Sequence, residues 1–162
     1  MDPRLIIPLD ILRLNTRLYR NCLTGLSDEQ AQKRANGRGE TNSAAFIAAH
    51  LVDSRYYLLN LLGRKVPSPL KGCEGGFMRI DKVIGYPPLS EIQAAWTAVG
   101  ELIERQLETM SPAALDAKFE DFPMPIPTVL GALSFMTQHE CYHLGQLGLL
   151  RKHAGFEAMA YS

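Results

Sequence analysis

From Thr128 to His153 the chain carries no proline and spaces its apolar residues at helical intervals. A stretch of that length and period folds as one long helix, and it needs other helices to cover its apolar face. Leu133, Met136, Leu147 and Leu150 fall along that face. Three further stretches have the same character. Pro8 to Leu26 opens on a residue suited to a first turn and gathers Leu9, Ile11, Leu12, Leu14, Leu18, Tyr19 and Leu23 on one side. Asn42 to Leu62 carries an inward stripe of Ile47, Leu51, Ser54, Leu58 and Leu61. Thr41, Asn42 or Ser43 caps it, and Gly63 stops it. Ser90 to about Met110 turns Ile92, Trp96, Val99, Ile103 and Leu107 inward and begins with capping-box spacing, Ser90-Glu91-Ile92-Gln93.

Four long amphipathic helices in one chain of this size predict an all-α fold, a four-helix bundle forming a single domain over residues 1–162. Short additional helices are expected after the capping box Ser27-Asp28-Glu29-Gln30 and after Ser111-Pro112. A long connection, Arg64 to Pro88, rich in proline and glycine, separates the second and third main helices. Within it Phe77 to Ile80 and Lys82 to Ile84 have extended character, and a loop of this length serves either as a binding segment or as a span across the bundle. Phe119 to Pro127 is a second loop, and Thr128 caps the fourth helix, which ends at Gly155. Loop lengths alone leave the up-down order of the helices open.

Composition narrows the functional classes. Seventeen basic and seventeen acidic residues cancel, which argues against a nucleic-acid or anionic-membrane partner. Three cysteines without paired spacing fit reduced thiols and a cytoplasmic protein. Leu5 to Pro8 is too short an apolar run for a signal peptide, and no segment has the length of a membrane span.

The chemistry concentrates on the fourth helix. His139 and His143 stand one turn apart on its apolar face, so both imidazoles can present a ring nitrogen to one point. Two unpaired imidazoles in an apolar stripe are costly, and a divalent ion satisfies both. Of the two remaining histidines, His153 sits too far along the helix and suits its carbonyl end. His50, bordering the inward stripe of the second helix, is the candidate third ligand. His139-Glu140-Cys141-Tyr142-His143 also fits the H-E-x-x-H spacing of zinc proteases. The surroundings do not: Gln146 and Leu149 stand where one protease class needs glycine and histidine, and no strand pattern offers an edge for an extended peptide.

Glu140 is a candidate general base, or else a solvated or ligand-supporting carboxylate. Gln146 is a candidate hydrogen-bond partner of a ligand ring or substrate, and Gly145 is expected to admit a neighbouring helix. Cys141 points away from the histidines, Cys22 reads as core, and Cys73 lies in the glycine-rich loop. Tyr56 and Tyr57 read as packing residues.

Ala49-His50-Leu51, followed by His139-Glu140-Cys141-Tyr142-His143-Leu144-Gly145-Gln146, resembles the DinB-like superfamily. That group includes YfiT-like metal-dependent hydrolases and the bacillithiol and mycothiol S-transferases. The resemblance implies a four-helix bundle with His50, His139 and His143 as ligands to a divalent metal ion, zinc or nickel, and a homodimer. It implies no single reaction. Two enzymatic readings share the site: hydrolysis with Glu140 as base, and transfer of a low-molecular-weight thiol to a small-molecule substrate. The alternative is a non-catalytic metal-binding or stress-associated bundle.

Overall fold

The computed structural model describes residues 1–35, 41–70, 85–119 and 125–161. Cys73 and the extended segments expected within 77–84 lie outside these residues. A 3-10 turn, Pro3–Leu5, precedes α1 (Ile6–Leu23). Then come α2 (Asp28–Gln32), α3 (Ala44–Leu61), α4 (Leu89–Thr109), α5 (Pro112–Leu115) and α6 (Val129–His153). The four long helices and both short ones are those the sequence predicts, and the chain is an all-α bundle. None of the described helices is long and apolar enough to cross a membrane.

Local chemistry explains most of the boundaries. Ser27, Ser43, Ser111 and Thr128 each accept a hydrogen bond from the backbone N–H three residues on, which satisfies a donor the first turn leaves free. Gln30 completes the box by accepting from the Ser27 N–H. After α3, Gly63 N–H donates to Asn60 O and Arg64 N–H to Leu59 O, with Gly63 at φ 94°. This is a Schellman stop, and Gly155 and Phe156 repeat it after α6.

Two helix starts differ from expectation, and α1 ends at Leu23, short of the expected Leu26. The first helix begins at Ile6, so Pro8 lies within its first turn, where a missing N–H costs nothing. The third long helix begins at Leu89 without a side-chain cap from its own flank, so the box expected at Ser90 does not form. Asp28 at the start of α2 takes that role, accepting from the Leu89 N–H at 2.8 Å. The cap comes from a residue distant in sequence, which no local spacing reveals.

Contacts between helices fix the order that loop lengths leave open. Arg13 reaches Glu104 while Arg20 reaches Thr97, so α1 and α4 run antiparallel. Asn15 meets Glu140 and Cys22 meets Leu144, so α1 and α6 run parallel. Arg55 lies over Trp96 and Gln106 donates to Leu62 O, so α3 and α4 run parallel. The order is up, down, down, up. A parallel α3–α4 pair requires the chain to return along roughly 27 Å of helix, which is why the connection from Leu62 to Pro88 is long. Asn60 anchors its start by accepting from the Val66 N–H.

The core lies on the common axis, where Leu12, Leu51, Leu58, Trp96, Ile103, Leu133 and Leu147 are buried. Tyr19 stacks on Trp96 with ring centroids 4.2 Å apart. Gly145 does not serve a close helix approach: it is exposed, and a Cβ built there meets nothing within 4 Å. The tightest backbone approach is at Gly131, where the carbonyl oxygen of Ile126, in the loop just before α6, occupies the place of a Cβ. Two opposite outcomes follow, read from urea unfolding midpoints. Gly145→Ala should stabilise by up to about 1 kcal/mol, since it removes glycine's helical penalty and adds no clash. Gly131→Ala should destabilise by about 1–3 kcal/mol, because backbone and not a flexible side chain must move.

Candidate metal centre

The antiparallel packing of α3 on α6 brings the three histidines together. His50 projects from α3, and His139 and His143 project from successive turns of α6. The Nε2 atom of His139 lies 3.1 Å from that of His50 and 3.1 Å from that of His143. The rings meet edge to face, with interplanar angles of 66° to 73°. Such angles aim nitrogens at a shared point; stacked faces do not. Phe46 and Phe135, each four residues before a histidine on its own helix, lie nearly parallel to the His50 and His139 rings.

Hydrogen bonding alone does not satisfy this cluster. The Nε2 of His139 offers one lone pair or one N–H, yet two ring nitrogens stand at hydrogen-bond distance from it. Its Nδ1 is buried without a hydrogen-bond partner among the described residues. On His143 the tautomer is set: Nδ1–H donates to Gln146 Oε1 at 2.8 Å, which leaves the Nε2 lone pair facing the cluster. Burial, with the neighbouring His143 charge second, pulls the His139 pKa down to about 4. Burial also lowers His143, against the opposing Gln146 bond. Both rings are therefore neutral at pH 7, the state in which imidazole ligates a cation.

The spacing suits a cation. Ligand nitrogens about 2.0–2.1 Å from one ion and separated by 90–110° lie roughly 2.9–3.4 Å apart. The two 3.1 Å separations fall inside that range. All three donor atoms lie within 4.8 Å of one another, the one such group of His, Cys, Asp or Glu among the described residues. The donor set is nitrogen-only, which suits a transition-metal cation better than calcium or magnesium.

The remaining candidates separate clearly. Gln146 lies against the His143 ring. Glu140 faces the bundle axis and is 1% exposed. Its Oε1 accepts from Arg55 Nε at 2.8 Å, and its Oε2 from Arg55 Nη2 at 3.0 Å and Asn15 Nδ2 at 3.1 Å. It is thus neither solvated nor free to take a proton from a substrate. Cys141 is exposed and bonds to Asn15, away from the cluster. Cys22 is buried in the core, which raises its thiol pKa to about 11. His153 is exposed in the last turn of α6. Tyr56 is buried, and Tyr57 lies at the surface.

Sequence reasoning missed Arg55 and Asn15. A signal existed for the first: Arg55 is the one arginine or lysine in α3, a mostly apolar helix, and directly follows the inward Ser54. A cation in that position needs a buried counter-charge, and Glu140 on the facing helix supplies it.

No functionally curated protein matches the chain. A sequence model describing the DinB superfamily matches residues 11–147, from the second turn of α1 to just past His143 on α6. That span reaches into all four long helices in order and includes His50, His139 and His143. With most of its length matched in this way, the chain belongs to the DinB superfamily.

Proposed function

We propose that this protein is a metal-dependent enzyme that transfers a low-molecular-weight thiol to a small electrophilic substrate. His50, His139 and His143 hold a divalent ion, zinc or nickel. The observation that carries the proposal is the convergence of three imidazole nitrogens from two helices at ligand spacing. A divalent ion in this site supplies Lewis acidity, which lowers the pKa of a thiol or water at a position the protein leaves open.

The chain's own residues do the rest. Gln146 holds the His143 ring in the tautomer that offers Nε2. Phe46 and Phe135 wall the His50 and His139 rings with apolar surface, which limits water near the reacting atoms. Glu140 favours thiol transfer over hydrolysis. Hydrolysis asks for a base to activate water, and this carboxylate is engaged by Arg55 and Asn15. A thiol is far more acidic than water, so thiol transfer asks less of a protein base. The reading extends to a cytoplasmic protein and to a homodimer, the latter supported by the exposed Tyr142 and Leu149, two turns apart on one face of α6.

The test is elemental analysis followed by turnover. Protein purified without chelators should carry close to one equivalent of zinc or nickel. It should consume cysteine or a sugar thiol against a bimane or chlorodinitrobenzene electrophile, and His143→Ala should do neither. Metal-dependent cleavage of esters or amides with no thiol requirement would overturn the transferase in favour of a hydrolase.

Acid should act on the metal-free protein in a defined direction. In the unfolded chain His139 takes up a proton near pH 6.5, but in the folded chain only near pH 4. Between those values the unfolded state binds more protons, so stability falls as pH drops through the window and is unaffected by this group above it. The slope approaches about 1.4 kcal/mol per pH unit for each such proton. Urea midpoints at pH 7 and pH 5 should differ more for wild type than for His139→Ala.

A further inference from the structure

Arg55 and Glu140 are the most deeply buried ion pair among the described residues, each 1% exposed. The guanidinium uses four of its five N–H donors. Nε and Nη2 grip the two Glu140 oxygens, Nη1 donates to Thr16 Oγ1 at 2.9 Å, and Nη2 also donates to Leu12 O at 3.0 Å. One face of the guanidinium lies 3.5 Å from the Trp96 ring centre. On α4, a Cβ at Gly100 would sit 2.9 Å from Nη1, so a glycine leaves room for the cation. Asn15 adds a hydrogen bond to Glu140. Groups on α1, α3, α4 and α6 all close on this one cation.

Stability does not require such a group. A buried ion pair replaced by apolar side chains of similar volume is often as stable or more so. What the pair adds is direction. A two-point fork between planar groups resists roll and slide of α6 against α3 in a way that apolar packing does not. Glu140 directly follows His139 in the chain. On the helical wheel His139 and His143 stand about 100° and 60° to the same side of it. With Glu140 held at the axis, both imidazoles are turned toward α3. On α3, Arg55 fixes the helix that carries His50. A roll of about 20° would move a ring at a helix's outer radius by roughly 2 Å, as much as an entire metal–nitrogen bond.

We infer that Arg55 and Glu140 are a positioning pair that sets the rotation of α3 against α6 and so holds His50 at ligand spacing from His139 and His143. The inference rests on the metal-site reading above. It gives the glutamate of the His139–His143 motif a mechanical role.

The test replaces both charges together, because either one alone leaves its partner buried and unpaired. Arg55→Met/Glu140→Leu should fold, with a helical circular dichroism spectrum and an unfolding midpoint at or above wild type. Its cobalt affinity should fall roughly 10- to 100-fold, the loss typical when a group that orients a ligand is removed. The visible absorption of its cobalt form should also shift, which a purely structural role would not produce. Arg55→Lys, which keeps the charge and loses the fork, should lie between the two and gives the answer if the double variant does not fold. A folded double variant, or a folded Arg55→Lys, with wild-type affinity and spectrum overturns the positioning role while leaving the metal site intact. A wild type that takes up no cobalt overturns both readings.

Discussion

His139→Leu should abolish stoichiometric zinc or nickel binding while leaving the metal-free protein as stable as wild type or more so. The two effects come from the same atoms. The His139 Nε2 is the shared neighbour of the other two ring nitrogens, so its loss leaves His50 and His143 without the ligand between them. The affinity loss should exceed the roughly 100-fold that a supporting residue behind a ligand is worth. The same ring carries a buried Nδ1 with no partner among the described residues and a pKa pushed down to about 4 by burial. Removing such a group relieves a penalty of about 1–3 kcal/mol. Thermal unfolding with and without added zinc reads both halves. Wild type should gain stability with metal by mass action, and the variant should show no gain. A variant still stabilised by stoichiometric zinc would remove His139 from the ligand set.

The largest effect on folding is expected at Arg55. Arg55→Met, with Glu140 left in place, should destabilise the protein by about 3–5 kcal/mol, as measured by urea unfolding. Glu140 is 1% exposed, and in that variant it would keep only the Asn15 hydrogen bond. Domains of this kind are stable by about 5–15 kcal/mol, so the loss is a large share of the total. Adding Glu140→Leu to Arg55→Met should recover most of it, because the cost lies in the unpaired charge and not in the missing contact. A small effect for the single variant would mean that water or a nearby group reaches the carboxylate.

These two residues also mark where sequence reasoning stopped. The helices were legible because each long segment repeats its apolar residues at helical period and is punctuated by glycine, proline or a capping serine. Ile92, Trp96, Val99, Ile103 and Leu107 are all buried as their spacing implies. The histidine pair was legible for the same reason, since one turn of helix fixes where His143 stands relative to His139. Gly145 was misread because a glycine's cost is visible in sequence but its neighbours are not. Glu140 was left between base, solvated residue and supporting residue, because its partner lies far away in the chain.

The sequence by itself determined what short-range geometry governs: the helical segments, most of their caps, and the facing of His139 and His143 on one turn. Tertiary structure alone decided the up, down, down, up order, the Asp28 cap on α4, and the arrival of His50 opposite the α6 pair. It also decided that Glu140 would be spent on Arg55. These depend on which helices lie side by side and in which direction they run. That is settled by the joint burial of four apolar faces about one axis, which no single segment encodes.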